Sequence, residues 1–303
     1  MKTTLCHFLS TDNLRLPGLL YEPDKKTKSV ALFLHGNGSS SIFYKPEMNL
    51  YGEIFTNKNI AFFPFNNRGA HLVKSLKRKT EIEDERCTYG TYYEQIAECV
   101  YDIDGAIEFL KTKSFTTFYL IGHSTGANKI VVYHYHKPEN PVAKYLLLAG
   151  GDDTGLSYAT LGNKRFHAAL DRSRSEVQKG NGMNIVPKYL FPEPYSYQAL
   201  YDTLNPDGDY NIFPFYEALN GVKLSSKPLF RHFEKINKPT LVVYGEQDEF
   251  CYGDVKGCID ALRKHSTYNL QATSYKLISN TGHGFDGKEE ELGKLMVDWL
   301  KNT

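Results

Sequence analysis

Residues 119–128 read YLIGHSTGAN, a serine between two glycines directly behind an apolar run. TTFYLIG (116–122) has the character of a strand, and STGANKIVVYHY (124–135) that of a helix ending before Pro138. G-H-S-T-G therefore falls at a strand–turn–helix junction, the setting in which a G-x-S-x-G pentapeptide carries chemistry. The turn forces Ser124 into a strained backbone, and side chains at 122 or 126 would collide with the neighbouring strand and helix. It also puts Ser124 at a helix N-terminus, where free N–H groups and the dipole favour an oxyanion. The competing reading is a tight Gly-flanked packing turn.

The flanking sequence decides the architecture. SVALFLHG (29–36), NIAFFPFNNRG (59–69), AKYLLLAGG (143–151), KPTLVVYG (238–245) and ATSYKLIS (272–279) read as further strands. The fully apolar ones have the composition of central parallel strands covered on both faces. Helical stripes lie between them: Leu50, Ile54 and Phe55; Val100, Ile103, Ile107 and Leu110; Val255, Ile259 and Leu262. A last helix carries Leu292, Leu295, Met296, Trp299 and Leu300 on one face. TLCHFLS and LRLPGLLYEP, split by the turn TDN, predict an edge hairpin that tolerates Pro17. The charged stretch AHLVKSLKRKTEIEDER (70–86) reads as a solvated loop or hairpin. The fold class is thus α/β, a mostly parallel central sheet with helices on both faces. From 152 to 238 the strand–helix rhythm stops and tyrosine and phenylalanine cluster. An insertion of that length should form its own substructure between core segments 1–151 and 239–303.

A serine needs a base, and the base an orienting acid. Both follow in order. Asp248, in EQDEF, lies four residues beyond Tyr244 at the end of one strand. His283, in NTGHGF, follows the next strand, and both fall where open α/β sheets build their sites. Alone, Asp248 reads as a turn acid and His283 as a loop histidine; three hits at successive strand ends make coincidence a poor explanation. Glu246 and Glu249 are the rival acids. FLHGNG (33–38) ends another strand and nominates the N–H groups of Asn37 and Thr125 as the two donors of an oxyanion hole. Gly36 and Gly38 there would permit close backbone approach.

H-G-N-G, G-H-S-T-G, G-E-Q-D and G-H-G-F in this order resemble the α/β-hydrolase superfamily. The resemblance spans nearly the whole chain. It implies Ser124 as nucleophile, His283 as base, Asp248 as its acid, Asn37 and Thr125 as the oxyanion hole, and residues 152–238 as the cap. FPFNNRGAHLV and ECVYDIDGAIEFL look like the branch that includes fungal siderophore esterases. The expected activity is cleavage of a small-molecule carboxylic ester, with no metal or cofactor. Thioesters and amides are served by the same triad, and some members of the fold only bind ligands.

Charge and cysteine usage narrow the remaining classes. Thirty-six Lys and Arg balance thirty-five Asp and Glu, which argues against a nucleic-acid binder. The five scattered cysteines lack a CxxC pair and suit reduced thiols. No apolar signal-peptide core or membrane-spanning stretch is apparent, so the cytoplasm is the expected compartment. His134 and His136, two apart on a helix, suit a metal poorly. Arg68 and His71 are expected at the site rim, contacting an acidic or polar substrate group or forming a structural ion pair.

Overall fold

The computed structural model describes residues 1–38, 40–266 and 273–302. Eight strands form one sheet in the order β1-β2-β4-β3-β7-β8-β9-β10. The hairpin β1 (Lys2–Leu9) and β2 (Arg15–Glu22) is antiparallel, as is β2 to β4. The others run parallel: β3 (Ser29–Leu34), β4 (Ala61–Phe65), β7 (Thr117–His123), β8 (Val142–Leu148), β9 (Thr240–Gly245) and β10 (Thr273–Ile278). β3, β4 and β9 are the apolar segments of the sequence and are buried along nearly their whole lengths. Pro17 is not on the edge strand. β2 lies one strand in, but its pairing with β4 is sparse, and the Pro17 carbonyl accepts from Asn66 N–H at 2.9 Å. The charged stretch forms a separate hairpin, β5 (Lys74–Arg78) with β6 (Glu85–Tyr89).

The order in which strands are added to the sheet reverses at β3. The helix α1 (Glu47–Asn57) links β3 to β4 on one side, and α2 (Cys99–Thr112) crosses from β4 over β3 to β7 on the other. Right-handed crossovers running in opposite directions put these helices on opposite faces. The helix α3 (Thr125–His136) leads from β7 to β8. On α1 the buried face is Met48, Tyr51, Gly52 and Phe55, whereas Leu50 stays partly exposed, so the stripe read at Leu50, Ile54 and Phe55 is rotated.

Between β8 and β9 come α4 (Asp153–Gln178), kinked at Gly162, then α5 (Tyr197–Leu204) and α6 (Phe215–Asn220). The apolar and aromatic residues of this insertion divide. Phe166, Tyr197, Leu200 and Leu204 build a second small core, whereas Tyr210, Phe213 and Phe215 join the main one. The chain ends with α7 (Val255–His265), β10 and α8 (Glu289–Asn302). Leu292, Met296 and Leu300 of α8 are buried and α8 packs on α1. Ala272, read as the first residue of the last strand, lies outside the described residues. Among the described residues no helix is long and apolar enough to cross a membrane.

Candidate active site

Ser124 stands between β7 and α3 with φ 57° and ψ −130°, a strained conformation for a residue with a side chain. Its own N–H is bonded to Leu148 O at 2.9 Å and its carbonyl accepts from Ala127 N–H at 2.8 Å, so the turn is held from both sides. The flanking glycines are a steric requirement. A Cβ on Gly122 would lie 2.2 Å from Gly126 O, and one on Gly126 would lie 2.2 Å from Leu34 O.

His283 and Asp248 meet as an ion-pair geometry. Both Asp248 carboxylate oxygens lie 3.1 Å from His283 Nδ1, and the acid is buried at the end of β9. Asp248 Oδ1 also accepts from Phe250 N–H at 3.0 Å, which fixes the carboxylate. The neighbouring Glu249 does something else: its Oε2 accepts the backbone N–H of His283 at 3.0 Å. One acid thus orients the ring and the next holds the main chain. Phe250 stands edge-on to the His283 ring, with centroids 4.6 Å apart.

His123, the variable residue before the serine, completes the support. Burial, then the nearby His283, push its pKa down to about 3, so the ring is neutral at ordinary pH. Its Nε2–H donates to the His283 carbonyl at 2.8 Å. The motif alone gives no signal for this role, because position x of G-x-S-x-G accepts many residues.

Ser124, Thr125 and His283 line one pocket of about 280 Å³ with Gly36, Asn37, Phe250, Asp153 and Leu156. Among the described residues no hydrogen bond joins the Ser124 hydroxyl to the His283 ring; such bonds commonly tighten only when substrate binds. Thr125 opens α3, so its N–H has no intrahelical partner.

The loop carrying Asn37 is fixed from beneath. His35 is buried and its pKa is lowered to about 3, first by burial and then by Lys129. Its Nδ1–H donates to Gly36 O at 2.7 Å and its Nε2 accepts Asn67 N–H at 3.3 Å, a consistent neutral tautomer. Thr91 Oγ1 donates to Gly38 O at 2.9 Å. From the insertion, Tyr210 accepts a hydrogen bond from the Asn37 side-chain amide.

Arg68 and His71 part company. Arg68 does not line the pocket: it is fully buried, paired with Asp12 at 2.7 Å, Asp102 at 2.8 Å and Glu98 at 3.3 Å. The expectation of a rim contact for Arg68 gives way to the structural ion pair. Three acids packed around one guanidinium leave it no free donor face. His71 is nearer the opening, its N–H bonded to Ser40 O at 2.9 Å, and Ser40 lines the pocket. Its pKa is lowered by partial burial and then by Lys74. The other histidine pair is not a ligand pair. His134 is bonded to Tyr145 and the Lys235 carbonyl, His136 to Asp209.

The sequence of residues 86–302 matches the family described as "Protein of unknown function (DUF1749)". That match covers well over half of the chain. The chain belongs to the DUF1749 family. The eight-stranded, mostly parallel sheet and its helices give this DUF1749 protein the α/β-hydrolase fold. Among solved structures it is similar to an α/β hydrolase, GrgF, from Penicillium sp. sh18, with a TM-score of 0.65, 15% identity and coverage of 99% of this chain and 98% of that one. Est1E from Butyrivibrio proteoclasticus, solved with ferulic acid bound, gives a TM-score of 0.63 at 12% identity over 97% of both chains. Carboxylesterase CesB from Bacillus subtilis gives 0.55 at 14% identity, covering 100% and 93%. At these identities the likeness concerns the fold. No curated protein matches the DUF1749 chain in sequence.

Proposed function

We propose that the protein is a serine hydrolase that cleaves a carboxylic ester of a small or medium-sized substrate. The observation that carries this reading is a strained Ser124 lining one pocket with a His283 whose Nδ1 is engaged by a buried carboxylate. Solved structures of similar fold include proteins described as esterases, which agrees with it.

In this reading Ser124 Oγ attacks the acyl carbonyl while its proton passes to His283 Nε2. The Asp248 carboxylate holds the Nδ1–H tautomer and stabilises the imidazolium. The carbonyl oxygen, now negative, accepts from the N–H groups of Asn37 and Thr125. Collapse breaks the bond to the alcohol, which leaves with the proton from His283. Water, deprotonated by the same base, then releases the acid from Ser124. Residues 152–238 serve as the cap over this pocket, contributing Asp153 and Leu156 to its wall. Five free thiols, four of them buried, fit the cytoplasm.

Labelling with a fluorophosphonate and turnover of short 4-nitrophenyl esters test the proposal. Labelling should fall on Ser124, and Ser124→Ala should lower kcat by about a thousandfold or more. Undiminished hydrolysis by folded Ser124→Ala protein would sink it.

A further inference from the structure

Asp153 is the first residue of α4 and lines the same pocket as Ser124. Together with Leu156 it also lines a second cavity of about 210 Å³, inside the insertion. The two cavities therefore share a wall. The second is bordered by Glu193, Phe191 and Tyr195. No Lys or Arg lines either cavity. The buried cations nearby are already engaged, Lys129 with Glu94 at 2.6 Å and Arg68 with its three acids.

The Asp153 carboxylate has one side-chain partner among the described residues, the Asn128 amide at 3.2 Å on Oδ2, while the Ser157 hydroxyl donates to the Asp153 main-chain carbonyl at 2.8 Å. The Asn128 amide also donates to Gly151 O at 2.8 Å. The Asp153 carboxyl is thus only partly compensated by hydrogen bonds. Burial pushes its pKa up to about 6, with His283 and then Lys129 opposing. A second acceptor agrees: Asn37, in the same pocket, has a buried Oδ1 with no hydrogen-bond partner among the described residues. The pocket thus offers acceptors and aromatic faces without fixed positive charge. An anionic substrate group would meet repulsion there, whereas an ammonium would gain a charge-assisted bond and cation–π contacts.

We propose that Asp153 is a specificity-determining residue that selects esters carrying an ammonium group close to the scissile carbonyl, with the second cavity receiving the chain beyond it. Glu193, exposed at the far border, adds attraction for the same charge. This rests on the reading of Ser124 as an ester-cleaving nucleophile.

The test uses isosteric pairs that differ in one charge. Butyrylcholine against 3,3-dimethylbutyl butyrate puts the cation on the alcohol. The 4-nitrophenyl ester of 5-aminopentanoate against that of hexanoate puts it on the acyl chain. In the wild type, kcat/KM for the cationic member of at least one pair should exceed that of its neutral partner about tenfold. Asp153→Asn, which keeps the shape and the Asn128 contact, should bring that ratio close to one; Glu193→Gln should lower it less. Ratios at or below one for both pairs in the wild type, or a preference that survives Asp153→Asn, overturn the proposal. Dissociation constants for the same pairs on Ser124→Ala protein, with and without Asp153→Asn, separate the two readings. Cation preference in binding without turnover by the wild type leaves the subsite standing and removes the esterase. Turnover without preference in either measurement does the reverse.

Discussion

The two walls of the Ser124 pocket are built by different means. On the sheet side, Ser124, Asp248 and His283 sit at the ends of strands β7, β9 and β10, positioned by backbone pairing and by contacts too close for any side chain at Gly122 or Gly126. On the insertion side, Asp153 and Leu156 come from α4, and Tyr210 reaches Asn37 from a loop between helices. Besides the packing of Tyr210, Phe213 and Phe215 into the main core, the insertion is tied down by separate bonds, such as Asp202 to Ile96 N–H at 2.7 Å and Ser196 N–H to Tyr92 O at 2.8 Å. Backbone pairing repeats along a strand, so losing one contact leaves the geometry in place. Polar contacts made one at a time, such as that of Tyr210 with Asn37, have no such redundancy.

Substitutions in each wall can break or sharpen this contrast. The largest effect after loss of the serine is expected for Asp248→Asn. Asparagine disturbs the tautomer of His283, and kcat should fall about 10⁴-fold. Glu249→Gln keeps an acceptor for the His283 N–H and should cost far less; equal losses would mean that the two acids have not been told apart. Tyr210→Phe carries the next effect. It strips the Asn37 amide of its partner, and kcat should fall about tenfold with KM nearly unchanged, as for loss of an interaction that matters in the transition state. An unaltered kcat would show that the insertion does not position the loop carrying Asn37.

The smallest effect concerns stability. Burial raises the Asp202 carboxyl from an ordinary 3.8 to about 7, against the opposing bond from Ile96 N–H. The folded state then binds a proton that the unfolded state has released. The contribution of this group is full below about pH 4 and lost as pH rises through 7. Asp202→Asn has no proton to lose, so its Tm relative to wild type should climb between pH 4 and pH 8. A pH-independent difference would place the cost of Asp202 outside its ionisation.

Much of the sheet side is legible in the amino-acid sequence. Strands β3, β4 and β9 announce themselves as apolar runs because they are buried on both faces, and Ser124, Asp248 and His283 follow at strand ends, in sequence order. The charged stretch is open to a hairpin reading for a related reason: its pattern is local. The partners of Arg68 are not legible, although a structural ion pair is an open reading, since Asp12, Glu98 and Asp102 lie 56, 30 and 34 residues away and nothing in the segment FNNRG names them. Nor is the buried face of α1, where neighbours on β4 and α8 choose Met48 and Tyr51 over Leu50.

The division extends to the serine pocket. Local sequence determined the strand–turn–helix at Ser124, the glycines around it and the acid–histidine order, because each follows from short-range sterics and periodicity. Only the tertiary structure decided that Glu249 holds the main chain of His283, that His123 supports the same residue, and that Asp153 and Tyr210 reach the pocket from the insertion. Those assignments depend on which distant atoms come within hydrogen-bonding distance. That is a property of packing, which no short stretch of sequence encodes.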